Sequence, residues 1–245
     1  MRSGNTTYEI FRKTLEPFLP PLYSKVRRAL QDEAKRIGEG CSILDVGGRK
    51  SPYTIGVPAR VTIIDLPRES DVQNALNLGI NEAITEQVKK RRSNIDDVII
   101  GDMTSSGLPD DSFDLVVSVE VLEHVEEDAK FLGEVSRVLK PNGRFLMTTP
   151  NGDFVENRNP DHKRHYKRAE LLALLRRSFE DVRVDYAVCG GRYRALGLRS
   201  WSAKRPLATI GSALGNIVNA VQSAKPGITE QAFGTHHLIA TALKR

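Results

Sequence analysis

Five short apolar runs, four of which close on a glycine or a carboxylate, constrain this chain more than any other feature. They lie at 42–46 (SILDV), 61–65 (VTIID), 97–100 (DVII), 113–118 (FDLVVS) and 144–149 (RFLMTT). Stretches with helical spacing at 81–92, 128–139 and 168–177 fall between or after them. Near-continuous apolar strands alternating with helices predict a parallel sheet covered on both faces. The turn expected at 140–143 (KPNG) separates the second of these helices from its strand. An alternating run at 182–188 and the closing HLIATAL at 237–243 bring the expected strands to seven.

In an open α/β sheet, ligands bind outside the carboxyl ends of the strands. The first such end reads Asp45-Val46-Gly47-Gly48-Arg49-Lys50-Ser51, where glycines let a backbone approach a ligand closely. Asp65 follows Gly47 by 18 residues, close to the roughly 20-residue spacing of a ribose-binding acid. Gly101-Asp102-Met103 joins a carboxylate to an apolar side chain, suited to an adenine amino group and ring face. The fourth end is Ser118-Val119-Glu120.

The series ILDVGG, VTIIDL, GDMTSSGLPDDSFDLVVSVEVLEHV and VLKPNGRFLMTTPN resembles class I S-adenosylmethionine-dependent methyltransferases of the type-11 kind, over residues of about 40 to 185. The resemblance implies a Rossmann-like, seven-stranded, mostly parallel α/β sheet whose last strand is antiparallel. It implies that Gly47 approaches the methionine part of S-adenosylmethionine, Asp65 binds the ribose, and Asp102 with Met103 holds the adenine. Asp45, Gly48, Arg49, Leu66 and Val119 complete the expected cofactor set, with Arg49 placed to reach the cofactor carboxylate. One departure stands out: the family's three alternating glycines are Gly47, Arg49 and Ser51 here.

Glu120, Glu123 and His124 are spaced i, i+3 and i+4, so a helical turn would set all three on one face. Two carboxylates and an imidazole suit Mg²⁺ or Mn²⁺. The segment DHKRHY at 161–166 offers further ligands, His162 first. The pattern is similar to the Glu-x-x-Glu-His segment of ubiquinone-pathway O-methyltransferases and of the plant small-RNA 3′-end methyltransferase, and in the latter His162 matches a metal-binding histidine. Both groups imply an acceptor with vicinal hydroxyls, a sugar or a catechol. Vicinal oxygens chelate one ion, which fixes them and lowers the hydroxyl pKa. Without a metal, His124 or His162 is the candidate general base.

Charge divides unevenly. Residues 151–245 hold 16 Lys/Arg against 8 Asp/Glu, a net of +8, so the remainder of a +5 chain is −3. The segment 190–234 carries six Lys/Arg and no acid before Glu230, and sets Leu207, Ile210, Leu214, Ile217, Val218 and Val221 on one helical face. The expected organisation is a helical cap at 1–40, a catalytic core at 41–189, a basic amphipathic lid at 190–234 and the last core strand at 235–245. The lid's stripe has three candidate partners: the domain itself, a second copy, or a membrane surface with a lipid-linked acceptor.

Two cysteines exclude a disulfide framework. The first residues lack the apolar core of a secretory signal, and no run of about 18 apolar residues occurs. A cytoplasmic enzyme, peripheral at most to a membrane, is expected. Rival readings are an RNA 3′-end 2′-O-methyltransferase, although no RNA-binding module accompanies the domain, and a non-catalytic methyltransferase-like binding protein. A dehydrogenase is disfavoured because Gly47 to Pro52 lacks the G-x-G-x-x-G fingerprint.

Overall fold

A computed structural model describes residues 6–49, 51–68 and 79–245. Lys50 of the glycine loop and residues 1–5 of the cap lie outside them.

The apolar runs become the strands of one sheet: β1 (Ser42–Val46), β2 (Arg60–Asp65), β3 (Ile95–Ile100), β4 (Phe113–Val119), β5 (Leu139–Pro150), β6 (Phe179–Cys189) and β7 (Thr235–Lys244). Their order is β3-β2-β1-β4-β5-β7-β6. The first five strands are mutually parallel, and β7 runs antiparallel to both β5 and β6. The order reverses between β1 and β4, which opens a crevice at their carboxyl ends. Helices α1 (Thr7–Leu15), α2 (Pro21–Ile37), α3 (Glu82–Arg91), α4 (Asp128–Val138) and α5 (Arg168–Leu175) flank the sheet.

Two apolar layers hold the sandwich. On one face Phe131, Leu132 and Val135 of α4 pack with Val116 and Phe145. On the other, Leu22, Val26, Leu30 and Ala34 of α2 cover Ile43, Ile63 and Leu115. Pro21 opens α2 where a missing N–H costs nothing, and Gly38 ends it at φ +89°. Leu30 is fully buried, so truncation to alanine costs about 2–5 kcal/mol.

The turn expected at 140–143 is absorbed into β5. That strand already pairs at Leu139, and its register against β4 shifts between Phe113 and Leu115. Asn142 takes up the irregularity at φ +62°, a conformation asparagine tolerates better than most side chains.

Between β6 and β7 lie α6 (Arg192–Gly197) and α7 (Pro206–Ser223). Helix α7 is inverted relative to a usual surface helix. Ser212, Gly215, Asn216, Asn219 and Ser223 face inward, while Leu207, Ile210, Leu214, Val218 and Val221 are exposed. The inward polar groups bond chiefly to backbone, although Asn219 Oδ1 has no partner among the described residues. Asn216 Nδ2 donates to the carbonyls of Phe18 (2.8 Å) and Gly197 (3.1 Å), and Asn219 Nδ2 donates to that of Cys189 (2.8 Å). The apolar stripe therefore does not pack on the domain, which removes one of its three expected partners. Among the described residues no helix is long and apolar enough to cross a membrane.

Candidate functional site

A cavity of about 280 Å³ opens at the carboxyl ends of β1 to β4. Gly47, Arg49, Asp65, Leu66, Asp102 and Met103 all line it, so six of the nine residues expected on the cofactor side meet there. Gly47 sits at φ +70° and its N–H donates to Ile64 O at 2.8 Å. A side chain at this position would meet Val121 Cγ2 at 2.8 Å, so only glycine leaves both the turn and the cavity wall intact. Asp102 caps the turn of residues 103–105: its Oδ1 accepts from Thr104 N (2.8 Å) and Oγ1 (2.9 Å). Arg137 of α4 fixes the loop that follows, donating to Leu108 O at 2.6 Å while it pairs with Glu134 and Asp110.

Asp45, Gly48 and Val119 do not line the cavity. Asp45 is buried beneath the loop, where Thr54 Oγ1 donates to its Oδ2 at 2.6 Å. Burial pushes its pKa up to about 6, against the opposing pull of Thr54 and of the Arg92 charge. Gly48 packs on Asp45 so closely that a Cβ would lie 2.4 Å from its carboxyl carbon. Val119 is half-buried against the α2-side core.

The missing glycines at 49 and 51 are offset by a residue that sequence reasoning passed over. The buried guanidinium of Arg92, at the end of α3, donates from Nη2 to the carbonyls of Gly48 (3.4 Å), Arg49 (3.4 Å) and Ser51 (2.5 Å). The loop is clamped from behind by a cation instead of being shaped by glycine alone. Also unforeseen were the apolar liners Val121, Val125 and Phe131, and Gly79 at the end of an isolated bridge between Pro67 and Ile80. Their apolar character was legible, but not which face of the 121–131 segment would turn toward the crevice.

On the acceptor side the expected single helical face is not formed. Residues 122–124 make a 3-10 turn, and Glu120 stands before it at φ +55°. Glu120 therefore leaves the group. Its carboxylate crosses the end of β5, accepting from Thr148 Oγ1 (2.8 Å), and reaches β7, where His237 Nδ1 donates at 3.2 Å. Register puts His237 opposite Pro150 of β5 and Ala187 of β6. Burial alone would raise the Glu120 pKa, but the positive and donating groups of His237, with Thr148, hold it below the usual range.

Glu123, His124 and His162 do come together, one ligand atom of each lying within 4.8 Å of the others. The 151–167 loop delivers His162: Lys163 N–H donates to Glu123 O at 2.7 Å, and His124 Nδ1 lies 3.1 Å from Asp161 O. Glu123 is fully buried, with Oε2 accepting from Thr149 (3.1 Å) and Oε1 lacking any partner among the described residues. Burial and the nearby Glu120 charge push its pKa well up.

Tautomers follow from the surrounding acceptors. Val155 O takes a hydrogen bond from His165 Nδ1 (2.9 Å), so His165 Nε2 is bare and accepts from His162 Nδ1 (2.8 Å). His162 Nε2 is then left as a lone pair. Asp161 O likewise fixes the proton of His124 on Nδ1. Two imidazole lone pairs and an orphaned buried carboxyl oxygen are the donor set a divalent ion requires. A backbone carbonyl that fixes the ring, as Asp161 O does for His124, is the usual support of a ligand imidazole.

Residues 53–147 match the family model described as methyltransferase domain. A Mycolicibacterium smegmatis protein named probable S-adenosylmethionine-dependent methyltransferase is 38% identical over 108 residues, covering 42% of each chain. A ubiquinone biosynthesis O-methyltransferase of Xanthomonas oryzae pv. oryzae is 31% identical over 165 residues, covering 58% of this chain and 65% of the relative. The chain thus spans less than half of the first relative and under two thirds of the second. Among solved structures, a SAM-dependent methyltransferase from Archaeoglobus fulgidus superposes with a TM-score of 0.52 at 18% identity, covering 89% of this chain and 94% of that one. The seven-stranded Rossmann-like sheet is the fold the two share. The sequence matches liken this chain to proteins named S-adenosylmethionine-dependent methyltransferases, and the structural match shows the fold.

Proposed function

We propose that this chain transfers the methyl group of S-adenosylmethionine to a hydroxyl oxygen of an acceptor with adjacent hydroxyls, a sugar or a catechol-like molecule. One observation carries the acceptor half of this reading: Glu123, which keeps one oxygen without a partner among the described residues, gathers with His124 and His162, and His124 lines the cavity that holds the expected cofactor residues. The ubiquinone-pathway relative, an O-methyltransferase by name, supports the choice of oxygen.

In this reading Gly47 and Arg49 receive the methionine part, Asp65 the ribose hydroxyls, and Asp102 with Met103 the adenine. When bound, S-adenosylmethionine supplies a methyl carbon on a positively charged sulfur, and its transfer to oxygen leaves S-adenosylhomocysteine. Glu123, His124 and His162 would hold a divalent ion of the Mg²⁺ or Mn²⁺ kind, which supplies a Lewis acid that lowers the pKa of a chelated hydroxyl. The protein's own contribution is positioning, because an in-line approach to the methyl carbon gains much of its rate from orientation.

A metal-free variant of the same chemistry rests on a separate observation. His124, unlike His162, lines the cavity itself and keeps a lone pair on Nε2. It would take the hydroxyl proton as the oxygen attacks.

Methyl transfer to 3,4-dihydroxybenzoate, measured with radiolabelled S-adenosylmethionine, separates the two. Loss of turnover in EDTA and its return with Mn²⁺ supports the metal reading. Turnover unchanged by chelator but abolished by His124→Ala supports the metal-free one.

A further inference from the structure

A second cavity, of about 450 Å³, lies between the N-terminal helices and the 190–223 segment. Its size falls in the roughly 300–1,000 Å³ range of small-molecule sites. Leu15, Leu19 and Leu22 give it an apolar wall, and Trp201 closes the side toward α7. Three arginines line it from different elements: Arg12 from α1, Arg194 from α6 and Arg199 from the loop beyond. No carboxylate lines it, and among the described residues none of the three arginines pairs with one. The Nε of Arg12 is buried without a partner.

Arg194 feels the Glu120 charge beyond His237, but no carboxylate pairs directly with any of the three among the described residues. A cation beside apolar surface gains from a ligand that supplies a direct counter-charge. The cavity is therefore complementary to an apolar molecule bearing one anionic group. Its position is as informative as its chemistry. His237 forms part of its lining, and Glu120 part of the cofactor cavity's. The two side chains are hydrogen-bonded, and Arg194 Nη2 stands 3.5 Å from His237 Nε2 on the far side. The bonded pair thus contributes one side chain to the lining of each cavity.

We propose that this second cavity binds an amphiphile whose carboxylate or phosphate pairs with Arg194 and Arg12 while its apolar part lies against α1 and α2. The site is distinct from the cofactor cavity and goes beyond the methyltransferase reading.

Trp201, the chain's one tryptophan, reports directly on occupancy. Decanoate, decyl phosphate and decanol are titrated into the full chain below their aggregation limits while its fluorescence is followed. Saturable change with one or both anions, at least about tenfold tighter than with decanol (about 1.4 kcal/mol), is expected, and the tighter anion identifies the acidic group. Arg194→Gln should erase most of that preference, and Arg194→Lys should retain part of it. Arg12→Gln, on another element, keeps the test open if the first variant fails to fold. Equal affinity for anion and alcohol, or no saturable change, would overturn the assignment. So would loss of binding in Leu214→Ser, which would place the probe on the outer face of α7. S-adenosylhomocysteine binding is measured on the same samples. Retained cofactor binding without amphiphile binding overturns the cavity proposal alone, whereas the reverse overturns the methyltransferase reading and leaves this site standing.

Discussion

Glu120 and His237, 117 residues apart in the chain, are joined by a 3.2 Å hydrogen bond that spans three strands of the sheet. Both are partly buried, so each satisfies the other where water has little access. His237→Leu leaves the carboxylate with Thr148 alone and should destabilise the fold by about 1–3 kcal/mol. His237→Gln, which keeps a donor, should recover much of the loss. Urea unfolding of both variants, of Glu120→Gln and of the His237→Leu/Glu120→Gln double variant measures this. Losses that simply add would show that the pair is not coupled.

The clamp on the glycine-poor loop makes a second prediction. Arg92→Met strands the carbonyls of Gly48, Arg49 and Ser51, costing stability by about 1–3 kcal/mol. Because Gly47 and Arg49 line the cavity, the same change should weaken S-adenosylhomocysteine binding by about tenfold or more. Calorimetry on a variant that still unfolds cooperatively decides it; unchanged affinity would mean that the loop holds its shape unaided.

Asp45 predicts an unusual pH dependence. Its folded pKa of about 6 lies above the ordinary 3.8, so the folded state holds the proton more tightly than the unfolded state does. The stability this contributes is full below pH 4 and is lost as pH rises through 6. At neutral pH the loss reaches about 3 kcal/mol. Asp45→Asn retains an acceptor for Thr54 and should be stabilising relative to wild type at pH 7.5 but not at pH 4. Thermal unfolding across that interval checks it, and a difference independent of pH would contradict it.

The sheet was legible from the sequence because its strands are short, apolar and bounded by glycine and carboxylate. That Asp65 and Asp102 would line one cavity was legible because strand ends are local features. The acceptor side was less so, for a specific reason. Helical spacing put Glu120 with Glu123 and His124, but a positive φ at Glu120 turned it away. Its true partner depends on the pairing of Pro150 with His237, a register between distant strands that no local pattern encodes. Arg92 was invisible likewise, since nothing near it in sequence marks it as a loop anchor. The stripe on α7 was read correctly as apolar, yet asparagine and serine claim the inward face by capping backbone carbonyls.

A metal held by Glu123, His124 and His162 should stabilise the fold whether or not turnover is observed. At about one hundred times its dissociation constant, Mn²⁺ would add about 2.7 kcal/mol, a rise of roughly 5–10 °C in Tm for a chain of this size. Glu123→Gln and His162→Ala should each abolish the rise. A shift that survives both variants would place the ion elsewhere.

The central claim is that the cavity at the ends of β1 to β4 binds S-adenosylmethionine, and calorimetric titration with S-adenosylhomocysteine tests it most directly. Stoichiometric, roughly micromolar binding to the wild-type chain is expected, with a loss of about tenfold or more in Asp65→Ala. No heat of binding at millimolar ligand, or equal affinity in wild type and Asp65→Ala, would contradict it.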